Sequence, residues 1–223
     1  MKKPIYFENI CTSFHLKSIT PRCFVYRIDS ILIGLVMVKV PERDAYKLYF
    51  TIFSLLEETL KKCLDIPIFQ ESVVDEKNQD IYFLENMKAE EINNAIQKCM
   101  GQFSFLPAKN IVFTGFVNYL YNKTINAPNI SNNFVLKMKI YKLIYNIALI
   151  HNKQDIVLSI IDIISNNISK WDDEIFQYWF GEKVVYLKTL KEFETNRKQL
   201  EQNYTEITKN SKISKLPTYS FLG

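Results

Sequence analysis

The feature that most constrains the fold is a change in hydrophobic spacing at Phe105. Before it, short runs of β-branched and aromatic residues read as strands. After it, every apolar pattern repeats at helical spacing. A chain built this way is α+β, with an N-terminal half of two β-hairpins packed by amphipathic helices and an all-helical C-terminal half. The expected organisation is an α+β unit over 1–106, a helical unit over 107–208 packed on it, and a frayed tail over 209–223.

Within the first unit, residues 5–16 are expected to form a short helix. Cys23 to Ile28 and Ile31 to Val40 read as two strands joined by a tight turn at Asp29-Ser30, and Pro41 ends the second. The run Ile31 to Val38 does not alternate, which predicts a strand covered on both faces. Asp44 is placed to N-cap a helix reaching about Leu64, with Leu48, Ile52, Leu56 and Leu60 on one arc. Ile66 to Phe69 and Ile81 to Leu84 are expected to pair as a second hairpin, followed by a helix over 88–100. This α-ββ-α-ββ-α order loosely resembles small bacterial chaperones that hold secreted substrates. Those chaperones are usually acidic, which this chain is not.

In the second unit, helices are expected over 107–122, 131–151 and 155–168, with one long helical stretch from Trp171 towards Ile207. The 131–151 helix has two apolar faces. Phe134, Met138, Tyr141, Tyr145 and Leu149 form one, and Leu136, Ile140, Leu143, Ile147 and Ile150 form the other. Lys139, Lys142 and Asn146 fill a narrow polar stripe between them, and Lys137 lies in the other gap. Such a helix is sandwiched between layers or lends a face to a partner.

A search for chemistry finds little. The five glycines are isolated, so no phosphate-cradling loop or dinucleotide fingerprint exists, and G-x-S-x-G is missing. The four cysteines are 12, 40 and 36 residues apart, and the only histidines are His15 and His151. That spacing suits buried reduced thiols rather than a zinc site. His151 sits at a helix end, where the backbone dipole favours its charged form. The Asp172-Asp173-Glu174 cluster belongs to a first helical turn, with Ser169 as the expected N-cap. The expectation is a non-enzyme without cofactor or metal.

Two features rise above this background. From Ile92 to Gln154 there is no Asp or Glu, while that interval holds seven lysines, and the acidic residues cluster at 71–91. Split after Asn110, the first part is neutral and the second carries the whole excess of +4. Either the segments face each other within the fold, or the lysines form a steering surface for an acidic partner. The second feature is Trp171 to Phe180, with five aromatics in ten residues. The candidate partner surface is therefore Lys137, Lys139, Lys142, Trp171, Phe176, Trp179 and Phe180.

With 28 Ile, 24 Lys, 19 Asn and only four Arg, the composition is that of AT-rich coding and points to a low-GC bacterium. Scarce arginine makes nucleic-acid recognition a third-ranked reading. No signal peptide or membrane-length apolar run is apparent, so a soluble, cytoplasmic protein is expected. The leading reading is a protein-binding factor, of immunity or secretion-accessory type, that sequesters one protein partner; a homodimer is a further option. The alternative is a secreted effector with an unconventional catalytic site.

Overall fold

The tight turn at Asp29-Ser30 forms, with Asp29 in the left-handed region at φ 43°, where a short polar side chain is tolerated. The computed structural model describes residues 11, 14–75, 77, 79–84, 87–103, 105 and 111–223. The helix expected over 5–16 lies outside these apart from Cys11 and residues 14–16, where Phe14-His15 form a turn. Strand β1 (Lys17–Thr20) pairs antiparallel with β2 (Cys23–Ile28), and β2 pairs with β3 (Ile31–Lys39) from Ile28↔Ile31 to Cys23↔Val36. The non-alternating start of β3 is buried on both faces, as its composition requires.

Gly34 shows how tightly β2 and β3 meet. A Cβ there would lie 2.0 Å from the Phe24 carbonyl oxygen and 2.7 Å from the Val25 Cα. Only glycine permits that approach.

The expected helix over 44–64 is a correction. Residues Ala45–Ser54 form β4, paired with all of β3 from Ile31↔Ser54 to Lys39↔Tyr46. Helix survives only in α1 (Leu60–Asp65), N-capped by the Thr59 hydroxyl, which accepts from Lys62 N at 3.2 Å. The segment carries apolar residues at both helical and strand spacing. The free edge of a doubly buried β3 decides between them, because its backbone groups must find partners away from water. In the strand, Tyr46, Leu48, Phe50 and Ile52 enter the large core cluster, while Phe53 enters a smaller cluster with Cys23, Val25 and Leu32.

The second expected hairpin is also corrected. β5 (Phe69–Ser72) and β6 (Tyr82–Leu84) do not pair with each other; each pairs with β4, at Tyr49–Ile52 and Ala45–Lys47 respectively. The ten-residue edge of β4 takes both, and the loop between them closes on itself through a Val74↔Asp80 bridge. The chaperone-like order of elements is accordingly not what the chain forms.

Helices α2 (Ala89–Gln102), α3 (Phe113–Asn126), the short α4 (Pro128–Ser131), α5 (Phe134–Ile150) and α6 (Gln154–Ile168) follow. The long helix expected beyond Trp171 is instead three: α7 (Asp173–Phe180), α8 (Lys183–Leu190) and α9 (Phe193–Thr208). Gly181, at φ 83°, makes the first break. Asp172 rather than Ser169 caps α7, its carboxylate accepting from Glu174 N at 3.0 Å and Ile175 N at 3.1 Å. The sandwiched reading of α5 holds: Met138, Tyr141, Tyr145 and Leu149 are buried on one face and Ile140, Leu143 and Ile147 on the other.

The tail is not frayed. After α10 (Ser211–Ser214), β7 (Thr218–Tyr219) adds to β2 in parallel, and Leu222 exchanges backbone hydrogen bonds with Ile111 and Phe113. Ile213 and Leu216 are buried in the smaller cluster, against Cys63 of α1 and Ile207 of α9. The large cluster on the opposite face of the sheet runs from Cys11 to Leu190, so strands and helices of both halves share it. The architecture is α+β, an antiparallel sheet of N-terminal strands joined by one C-terminal strand, with helices on both faces.

Candidate functional site

Helix α5 is buried almost all round, so its one polar stripe has to emerge where the surrounding layers part. Lys139, Lys142 and Asn146, at i, i+3 and i+7, do so between the β4–α1 connection and the α7–α8 elbow. The elbow is fixed from within. Lys183 Nζ reaches Asp173 Oδ1 at 2.5 Å and donates to the Trp171 carbonyl, while the Tyr186 ring meets Phe176 at 5.5 Å and Phe180 at 5.9 Å, both edge-on.

The result is a trough of two adjoining cavities, about 540 Å³ and 360 Å³, that share Glu57, Lys142, Asn146, Trp179 and Phe180. The wall of the larger cavity is a hydrogen-bonded set. Tyr145 Oη donates to Leu190 O at 2.8 Å and accepts from Asn196 Nδ2 at 2.9 Å. Asn203 Nδ2 donates to Leu56 O at 3.2 Å, and Asn203 Oδ1 accepts from Gln199 Nε2 at 2.8 Å.

Two groups stand outside that set. Asn146 is only 6% exposed, and its carboxamide makes no hydrogen bond among the described residues. The Tyr186 hydroxyl is buried and likewise has no partner. Burial pushes its pKa up to about 12, with Tyr145 adding to the effect, so it is a neutral donor at physiological pH. Buried polar groups are normally paired; Tyr186 lines the larger cavity and Asn146 lines both.

The trough is close to neutral. Four carboxylates, Glu57, Glu58, Asp65 and Glu182, line it against the three ammonium groups of Lys62, Lys139 and Lys142. Glu58 pairs with Lys62 at 2.6 Å; that bond, assisted by Lys142, holds its carboxyl below the usual range.

The structure brings together four of the seven residues singled out from sequence: Lys139, Lys142, Trp179 and Phe180. Phe176 is a correction, since it is fully buried against Phe180 at 5.2 Å and Phe134 at 6.2 Å and belongs to the core. Lys137 and Trp171 line a separate hollow at the start of α5, where Trp171 packs half-buried on Phe134. Sequence reasoning missed Tyr186, and with it Val184 and Val185, because Gly181 was not read as a helix break. With α8 turned back on α7, Ile175, Tyr178, Trp179, Val184 and Val185 are all exposed, Tyr178 and Val184 by about four-fifths.

The segregated charge is met in part within the fold. Glu71 of the acidic segment pairs with Lys123 of the acid-free one at 2.6 Å, in a part-buried setting. Asp75 lies near Lys98 and is lowered chiefly by the backbone N–H of Gln79. His151 is also corrected. Burial against Phe113 and Phe221 lowers its pKa, and the carboxylate of Asp29, 3.5 Å away, offsets this only in part. Among the described residues no cluster of ligands could hold a metal ion, and no helix is long and apolar enough to cross a membrane.

No protein-family model, curated protein or solved structure matches this chain.

Proposed function

We propose that the chain is a non-enzymatic protein-binding factor that sequesters one protein partner through the exposed apolar side chains of α7 and α8. The exposed apolar group Ile175, Tyr178, Trp179, Val184 and Val185 carries this reading. The same two helices bury Phe176 and anchor Tyr186 and Phe180, so the core is already served, and five large side chains remain facing water. Apolar surface gathered in this way marks association sites, and tryptophan and tyrosine are the residues that anchor them. Occlusion of a toxin or holding of a secreted client, by a low-GC bacterial protein, is the form of activity this fits. Lys139 and Lys142 beside Trp179 offer contacts to acidic residues of such a partner.

The test is co-purification from native lysate with wild type, Tyr178→Ser and Val184→Asp as baits. A partner recovered at stoichiometric level by wild type, and lost from both variants while their melting temperatures hold, is the expected outcome. Recovery of no stoichiometric protein, or equal recovery by all three baits, overturns the proposal.

A further inference from the structure

We infer that the C-terminal strap, residues 216–223, is an acid-released cover over His151, latched at neutral pH by the Asp29 carboxylate. The inference is independent of the protein partner proposed above. It begins from one oxygen atom with two claims on it. Asp29 Oδ2 accepts from Phe221 N at 2.9 Å and also lies 3.5 Å from His151 Nε2. That nitrogen is sealed from solvent and has no hydrogen-bond partner among the described residues, although 24% of the His151 side chain remains exposed. The strap itself is held at few points. The Pro217 and Tyr219 carbonyls accept from Arg27 N and Asp29 N, and Leu222 exchanges bonds with Ile111 and Phe113. Its rings are Tyr219, edge-on to Tyr26 at 5.5 Å, and Phe221 against Phe113, Phe116 and His151. With a strand of only two residues, it belongs to the class of segments that open locally without global unfolding.

Proton linkage fixes the direction of the switch. With the strap closed, burial disfavours the imidazolium, Asp29 offsets this only in part, and Lys153 adds to the cost. Around the pair, Arg27 of β2 and Asp29 both act on the Tyr204 hydroxyl of α9, and Arg197 of α9, paired with Glu201, bonds to Asn152. All of these groups stay with the core when the strap lifts, so their effect is common to both states. Lifting Phe221 removes one of the two rings that cover the imidazole and frees Asp29 Oδ2 from the Phe221 N–H. Both nitrogens of an imidazolium are donors, so Nε2–H can then turn to that oxygen. The open state therefore holds a proton more tightly than the closed one. The advantage of the closed state is full above pH about 6.5 and is lost as pH falls through the closed-state value. Opening uncovers Phe113 and Phe116 and frees the Arg27 and Asp29 amides at the β2 edge.

Amide exchange on the full chain at about pH 7.5 and about pH 5.5, corrected for intrinsic rates, tests this. The amides of Arg27, Asp29 and Leu222 are expected to lose protection at the lower pH. Those of Ile68 and Val73, bonded to Ile52 O and Leu48 O of β4, should keep theirs, which separates strap opening from global unfolding. In His151→Gln, which cannot gain the charge, strap protection should be equal at the two pH values. An NMR titration of the His151 imidazole gives a reading that a merely structural role would not move. Phe221→Ala is expected to raise its pKa towards the ordinary histidine range, because the cover is gone. Strap amides equally protected at both pH values in wild type overturn the inference. So does the same acid loss in His151→Gln, or a His151 pKa unmoved by Phe221→Ala. If His151→Gln fails to fold, the Phe221→Ala titration together with the wild-type exchange decides.

Discussion

Phe221→Ala asks whether the C-terminal segment is part of the fold. The half-buried Phe221 ring lies 5.3 Å from Phe113, 5.3 Å from Phe116 and 5.6 Å from His151, and its backbone N–H donates to Asp29 Oδ2 at 2.9 Å. Full truncation of a buried Phe costs about 3–5 kcal/mol, and a ring buried on one side forfeits about half of that, so about 2 kcal/mol is expected. In a chain of 223 residues each kcal/mol moves Tm by roughly 2–4 °C, giving a fall of about 4–8 °C by calorimetry or circular dichroism. Amide exchange supplies an independent reading. Arg27 N donates to Pro217 O at 2.8 Å and Asp29 N to Tyr219 O at 3.0 Å, so both amides should lose protection once the anchor of the strap is gone. A Tm within about 1 °C of wild type, with protection of Arg27 and Asp29 unchanged, would show the segment to be dispensable and refute the reasoning.

Three further expectations follow from the same geometry. Gly34→Ala forces a Cβ to 2.0 Å from the Phe24 carbonyl oxygen and must separate β2 from β3; a loss of more than about 3 kcal/mol in urea unfolding, or failure to fold, is expected, and a normal melt would refute it. The lowered pKa of His151 means the folded chain resists a proton that the unfolded chain accepts. Its contribution is therefore fully present above pH about 6.5 and is lost as pH falls through the folded value. Urea midpoints between pH 7.5 and pH 5 should fall in wild type and fall less in His151→Gln; parallel curves would reject this cause. Burial pushes the Cys23 thiol up to about 12 and Cys63 to about 11, so both should resist iodoacetamide in the native protein at pH 8 and react on unfolding. Rapid native labelling at either position would contradict that.

Local rules were enough where a residue's own neighbours in sequence settle its conformation. The Asp29-Ser30 turn, the two-sided burial of β3, the amphipathic α6 and the two apolar faces of α5 are all of this kind. One strip of the trough was visible in the same way, because Lys139, Lys142 and Asn146 share a stripe on one helix. What sequence reasoning could not supply is every feature made by partners far apart in the chain. Ala45–Ser54 carries both periodicities, and only the unpaired edge of β3 makes it a strand. Thr218–Tyr219 is only two residues long, too short to read as a strand by itself, yet β2 offers Arg27 and Ile28 as an edge beside β1 for it to complete.

The trough follows the same division. Glu57, Asn146, Trp179, Tyr186 and Asn203 meet there across nearly 150 positions of sequence, brought together by packing around α5. The amino-acid order by itself determined which faces of each helix must be buried, since apolar spacing acts within a few residues. The tertiary structure alone decided which faces were left unfilled: whether a buried amide is paired, or an exposed indole covered, depends on the neighbouring layers.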